Sequence, residues 1–434
     1  MNLEAVNTLQ ELQHWLLTNQ LSSKSLYIIG FFAVSALLIV LATKKLKVPI
    51  VVGYVFVGIL FSGSVVKYFP FLSNLQTEWY TLIIENFSYV ADVALAFIAF
   101  TIGSELSIKI LKSLGKKILF IVLLESFGAF TLVTLGLLAL GKPFYLALIL
   151  GAIASATAPA ATVMVLQEYN AEGSLTSTLL AVVGIDDAVA LTIFSFAEPI
   201  SLIRAQGTGS LSFTNAFLHP LLEVVGSIVC GLAIGYLSVK LMVNFEDKTK
   251  KVLTLTATVL GASSLAVLFE LSPLIINMAV GFAYRNFVKK NLGIAEDLET
   301  LTIPIYAFFF MLAGTKIRIT AVTSTTFLIT SLVYTLTRAT GKIGGASLGA
   351  RLGQAEEKVK KYIGLGLLSQ IGVAVALAYT VQRDFAAMPK VGLLVFNILL
   401  FTTAITEVVG PLAVKYAITK AGEAKSGELS RDRG

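Results

Sequence analysis

The chain has 434 residues, 56% of them apolar and only 14% charged, with a mean hydropathy of +0.84 and a formal net charge of +7. A soluble domain carries about a quarter charged residues, so this composition excludes an ordinary soluble enzyme and a disordered chain. One cysteine and two histidines exclude a disulfide framework, an iron–sulfur cluster and a Cys- or His-based metal site, and no cofactor is expected.

Residues 1–24 lack a basic leader, and Glu4 and Glu11 are acidic, which speaks against a signal peptide. Leu3, Val6, Leu9, Leu12, Leu16 and Leu17 recur at helical spacing. An interfacial amphipathic helix and a plain lead-in to the first span both fit. A spanning helix needs about 20 mostly apolar residues. Runs of this kind occupy 25–43, 48–66, 88–106, 116–140, 143–166, 174–198, 215–243, 251–269, 272–290, 298–315, 322–350, 359–381 and 390–416, which gives thirteen expected spans. The polar tail 417–434 is expected to be disordered.

Lys and Arg set the expected orientation. Loops after odd-numbered spans, with the C-terminus, hold 22 of them, and the opposite side holds 8. This puts the N-terminus outside and the C-terminus in the cytoplasm. It also accounts for the basic excess without a nucleic-acid partner. Thirteen spans divide into six, a linker and six, so matching helices run in opposite directions. That is the arithmetic of an inverted repeat.

The fifth span (143–166) has Pro159 in its interior, preceded by Ser155 and Thr157. Proline removes a helix hydrogen bond and frees a carbonyl, and a membrane tolerates this only inside protein or at a wet cavity. A broken helix is expected there. The sixth span carries Asp186 and Asp187 near its middle. Two charged acids at that depth cost roughly 5–7 kcal/mol on insertion scales. Adjacent helical residues point about 100° apart, so one acid can pair with a fixed cation while the other faces a cavity. The eleventh span offers Lys342 at mid-depth among Gly341, Gly344 and Gly345, which let another backbone approach. Arg338, nearer the outer end, is read as structural. The twelfth span is interrupted by Gly364, Gly366, Gly372, Ser369 and Gln370, the counterpart of the fifth. Glu125 and Glu407 are expected to pair structurally with a basic neighbour. Asp92 is left open as part of an access funnel. Glu270, His219 and Cys230 are read as interface or packing residues.

These features resemble the bacterial sodium/proton antiporters of the monovalent cation:proton antiporter superfamily, second branch. The resemblance rests on FTIGSEL after the third span, TAPAAT in the fifth, GIDDA in the sixth, FFFMLAG in the tenth, RATGK in the eleventh and LLSQIGVAVALA in the twelfth. It implies an all-α polytopic membrane protein with two inverted six-helix repeats and crossed, broken fifth and twelfth helices. It implies a homodimer in the cell inner membrane. Spans one to three (25–106) and eight to ten (251–315) would form the dimerisation domain. Spans four to six (116–198) and eleven to thirteen (322–416) would form a moving core, with span seven (215–243) as linker. By residue match, Asp187 would bind the monovalent cation or the proton and Asp186 would pair with Lys342. Thr157, Ser155, Pro159, Ser369 and Gln370 would line the crossing. The Asp-Asp pair with Lys342 is similar to the electrogenic type. The tail is too short for the nucleotide-binding domain of potassium-efflux relatives.

Exchange on such a site is competition between a cation and a proton for one carboxylate. A sodium-coupled organic-anion symporter of related fold is the alternative within transport. An intramembrane aspartyl protease would leave Asp186 and Lys342 without a role, and a channel would leave the repeat unused.

Overall fold

The computed structural model describes residues 29–30, 32–41, 50–62, 65, 88–206, 218–245, 247–287, 294–316 and 324–424. Residues 1–24 and 425–434, where the interfacial segment and most of the tail are expected, lie outside the described residues. The described elements are helices. In chain order they are α1 (Phe32–Leu41), α2 (Ile50–Leu60), α3 (Ser88–Glu105), α4 (Ile108–Ala139), α5 (Phe144–Ala154), α6 (Pro159–Glu168), α7 (Ser174–Gln206), α8 (His219–Met242), α9 (Lys248–Leu268), α10 (Pro273–Phe287), α11 (Ile294–Thr315), α12 (Thr325–Leu352), α13 (Glu357–Tyr362), a 3-10 segment (Ile363–Leu367), α14 (Gly372–Asp384) and α15 (Pro389–Lys420).

Among the described residues six helices are long and apolar enough to cross a membrane, and a bent pair, 357–367 with 372–384, adds a seventh if counted as one span. Residues 32–41, 50–60 and 302–315 form shorter apolar helices. Helix α12 is long but rich in Gly, Thr and Ser, and ten of its residues are buried in protein.

The chain divides into two compact units, 1–94 with 301–319, and 95–300 with 320–434. In the first, α2 and α11 meet at two glycines. A Cβ on Gly58 would run into the Met311 carbonyl, and one on Gly314 into that of Val55. The Phe32 and Phe308 rings lie 6.0 Å apart in the same unit.

The second unit is built around the packing of α12 on α4. Gly341, Gly345, Gly349 and Gly353 recur every four residues and so share one face of α12. Each lies against α4 backbone, at Gly128 and Ala129, Leu124 and Glu125, Phe120 and Ile121, and Lys117 in turn. Small residues at this spacing allow two membrane helices to approach backbone to backbone. Gly344, also singled out from the sequence, meets no atom within 4 Å that a Cβ would touch. Helix α4 begins properly after Gly115, whose φ of 68° is open to glycine.

The last helix continues to Lys420, four residues beyond the expected end of the span at 416. The chain then turns at Gly422 (φ 70°), and the Glu423 carboxylate is buried against the first turn of α7. It accepts hydrogen bonds from the Leu175 N–H at 3.0 Å, the Thr176 N–H at 2.8 Å and the Thr176 hydroxyl at 2.9 Å. The start of the tail is therefore ordered, because an acid there satisfies the open N–H groups of a helix start. Burial alone would raise the Glu423 carboxyl, but these donors, with Lys358 beyond them, hold it below the ordinary value. A depressed acid contributes stability that is present above its unfolded pKa, near 4.3, and is lost as pH falls through the folded value. Glu423→Gln is expected to cost about 1–2 kcal/mol at pH 7. The gap to wild type in thermal unfolding should narrow at pH 4. A gap that is the same at both pH values would count against this anchor.

Candidate functional site

Two helix interruptions meet in the second unit. Helix α5 stops at Ala154, and α6 starts at Pro159, in its first turn, where its missing N–H leaves nothing unpaired. The second interruption separates the 3-10 segment from α14, with a bend of 45° across residues 368–371. Each expected break is thus a real gap in the helical ladder.

The breaks satisfy one another. The Ala158 N–H donates to the Ser369 carbonyl at 3.0 Å. The Gln370 amide donates to the Ile153 carbonyl at 2.9 Å and lies 3.0 Å from the Tyr334 hydroxyl. The Thr162 hydroxyl donates to the Gly366 carbonyl at 2.8 Å. Ser155 turns its hydroxyl back onto Ala152 at 2.6 Å, so it offers the site its carbonyl rather than its side chain. The Ser369 hydroxyl is buried with no hydrogen-bond partner.

Arg338 holds further carbonyls of both breaks and shares that of Ser369 with the Ala158 N–H. Its guanidinium donates to Ala154 at 3.1 Å, Ala156 at 2.8 Å, Leu368 at 2.6 Å and Ser369 at 3.3 Å. The side chain is 1% exposed. Its partners belong to the C-terminal ends of α5 and of the 3-10 segment. Each helix end carries roughly half a negative charge, so one guanidinium matches two ends without a carboxylate. The sequence reading placed Arg338 as an outer structural residue. It is the residue that ties the two breaks together.

Lys342 lies one helical turn further along α12, fully buried. Its Nζ is 2.5 Å from Glu125 Oε2, 2.7 Å from Thr157 Oγ1 and 3.2 Å from Asp186 Oδ2, and it also donates to the Ser155 carbonyl. The expected Asp186 contact is present, but the nearer carboxylate is Glu125. Glu125, expected to pair structurally with a basic neighbour, makes that pair with Lys342 and stands inside the candidate site. Its signal in the sequence was an acid within an apolar run with no Lys or Arg one turn away, which forces any partner onto another helix. The serine beside it, Ser126, is buried with its hydroxyl 2.8 Å from Glu125 Oε1 and 2.9 Å from Asp186 Oδ1.

Asp187 points away from this cluster, as the angle between adjacent helical residues requires. It retains 8% exposure, and its Oδ1 has no hydrogen-bond partner. The Thr157 main chain lies against its carboxylate. An acid with an open oxygen beside an acid–lysine cluster can accept a proton or a cation. No group of three or more His, Cys, Asp and Glu able to hold a metal exists among the described residues.

Glu407 is buried within electrostatic reach of Arg338, the basic neighbour expected for it, and lies against the Gln370 main chain, although no side-chain hydrogen bond joins its two oxygens to Arg338. Asp92 is half-buried in the first unit. Cys230 is exposed.

Residues 32–419 match the family described as "Sodium/hydrogen exchanger, transmembrane". The chain is similar to the Na(+)/H(+) antiporter NhaH of Halobacillus aidingensis, at 23% identity over 91% of this chain and 97% of that protein. It is also similar to the high-affinity Na(+)/H(+) antiporter NhaS3 of Synechocystis sp., at 25% identity over 54% of this chain and 50% of that protein. The solved structure of the sodium proton antiporter MjNhaP1 from Methanocaldococcus jannaschii at pH 8 superposes with a TM-score of 0.69, covering 92% of this chain and 99% of that one at 18% identity. At that identity the likeness speaks for the fold. A match over most of the length, together with the long apolar helices, means that this chain is a multi-pass membrane protein belonging to the sodium/hydrogen exchanger family.

Proposed function

We propose that the protein is a secondary active transporter that exchanges a monovalent cation, Na+ foremost and Li+ or K+ otherwise, for protons across the cell inner membrane. The observation that carries this reading is Asp187, with an unpartnered oxygen at the junction of two broken helices and next to the cluster of Lys342, Glu125 and Asp186. The names of the similar proteins support it. Asp187 is the carrier of cation and proton, Asp186 and Lys342 form a charge pair, and Thr157 lines the site. Thirteen crossings in two inverted sixes, with crossed breaks, are the topology assigned to the chain, with the N-terminus outside. A core of the helices within 116–198 and 322–416 moves like an elevator against a dimerisation domain of 25–106 and 251–315, in a homodimer. Exchange is electrogenic.

Coupling follows from the cost of charge in lipid. A bare carboxylate near the bilayer centre costs about 2.5–3.5 kcal/mol. The core therefore crosses readily with Asp187 neutralised by a cation or a proton, and poorly when it is empty.

The test uses liposomes holding the purified protein, a trapped pH dye and an imposed proton gradient. Adding Na+, Li+, K+ or choline outside should dissipate the gradient in an ion-specific order that names the substrate. Asp187→Asn should abolish dissipation, a loss of at least about 100-fold, as for removal of an essential charged group. Failure of every cation, in protein shown to be folded, would overturn exchange and favour the organic-anion symporter.

A further inference from the structure

The contacts of Ser126 impose a count of protons. Its hydroxyl has one hydrogen to donate, yet it lies 2.8 Å from Glu125 Oε1 and 2.9 Å from Asp186 Oδ1. Ser126, Glu125 and Asp186 are each 0% exposed, so no bulk water separates them. If both acids were ionised, one of these two short contacts would be lone pair against lone pair. Both become hydrogen bonds when one acid carries a proton. That acid donates to Ser126, and Ser126 donates to the other.

The surrounding donors lead to the same count. The Lys342 ammonium has three hydrogens, which it donates to the Ser155 carbonyl, Thr157 Oγ1 and Asp186, whereas Glu125 Oε2, 2.5 Å from Nζ, makes an ion-pair contact and has no hydrogen-bond partner. Asp186 is left with the longer contacts, at 3.2 and 3.4 Å. Two carboxylates and one ammonium sum to one negative charge, and a single proton makes the buried cluster neutral. The charged groups facing this pair are Lys342 and Arg338 of α12 and Asp187 of α7, and the α5–α6 break adds only Thr157 and a carbonyl. Arg338 is already matched by four carbonyls, so it does not replace the missing positive charge.

We infer that Glu125 stores a second exchangeable proton of the site, its carboxyl donating to the Ser126 hydroxyl and Ser126 donating in turn to Asp186. The proton leaves from Glu125, and Asp186 stays paired with Lys342 throughout. Cation binding at Asp187 brings a positive charge beside Asp186 and expels the stored proton, leaving both acids ionised against Lys342 and the cation. One cation then displaces two protons, one from Asp187 and one from Glu125, and the ammonium of Lys342 keeps its hydrogens throughout. This inference rests on the exchange reading above.

The test measures protons released when NaCl, or choline chloride as control, is added to the purified full chain in weakly buffered detergent with a pH indicator. Glu125→Gln should release about one proton fewer per protomer than wild type, roughly half its yield, as expected when one of two coupled sites is removed. Infrared difference spectra recorded on Na+ addition should show two protonated-carboxyl bands lost in wild type and only the one of Asp187 lost in Glu125→Gln. Ser126→Ala keeps both acids and tests the stored proton should Glu125→Gln fail to fold. Its Glu125 band should move to higher frequency through loss of the hydrogen-bond acceptor. Undiminished proton release from Glu125→Gln, or an unshifted Glu125 band in Ser126→Ala, would overturn the stored proton and leave exchange at Asp187 standing. No release from wild type with any cation would overturn the exchange reading itself.

Discussion

Arg338→Met is expected to destabilise the protein by about 3–5 kcal/mol, the range for removing one side of a buried charge interaction. The guanidinium fills four hydrogen bonds to carbonyls of two chain segments more than 200 residues apart: Ala154 and Ala156 on one side, Leu368 and Ser369 on the other. Methionine is close in length and apolar, so little cavity follows. What is lost is the positive charge between two negative helix ends. The freed carbonyls are buried and cannot turn to water, and each carries its own desolvation cost of about 1–3 kcal/mol. Arg338→Lys should recover part of the loss. Its three hydrogens cannot reproduce the planar fork, and its shorter reach favours one break over the other. The measurement is thermal unfolding of detergent-solubilised protein followed by size-exclusion chromatography, with exchange assayed in parallel. Exchange should fall in step with stability although Asp187 is untouched. Wild-type unfolding of Arg338→Met would show that the breaks hold each other without it.

Gly345→Val should be nearly as severe, at about 3 kcal/mol, the upper part of the usual range for overpacking. A Cβ there meets the Leu124 carbonyl and the Glu125 Cα. These are backbone atoms, so no rotamer change relieves the clash, and α12 must move off α4. That movement separates Lys342 from Glu125, and exchange should weaken beyond what the stability loss explains. The matched control is Gly344→Ala, one residue away on the same helix. Nothing lies within 4 Å of its added Cβ, and glycine inside a helix costs about 0.5–1 kcal/mol relative to alanine, so this variant should be neutral or slightly stabilised. Equal effects of the two substitutions would refute the packing assigned to the glycine face.

The breaks were legible in the sequence because their causes are local. Pro159 cannot donate to the helix ladder, and Gly364, Gly366 and Gly372 with Ser369 and Gln370 weaken the other helix within a few residues. The candidate acids were legible for a different reason. Lipid makes any mid-span charge costly, so Asp186, Asp187 and Lys342 stand out of an apolar run without any knowledge of their neighbours. The glycine spacing on α12 announced a close partner but not which one, and it gave Gly344 the same weight as Gly341 and Gly345. Only the facing helix separates them.

The sequence by itself therefore determined that the chain lives in a membrane, where its helices are interrupted and which acids sit where lipid should be. The tertiary structure decided that Lys342 is nearer to Glu125 than to Asp186, that Ser126 bridges the two acids, and that Arg338 closes both breaks. These are distances between groups as many as 217 residues apart in the chain, as for Glu125 and Lys342. Composition and helical period fix the direction in which a side chain leaves its own helix. They do not fix which helix stands opposite, and a buried charge takes its function from the group it faces.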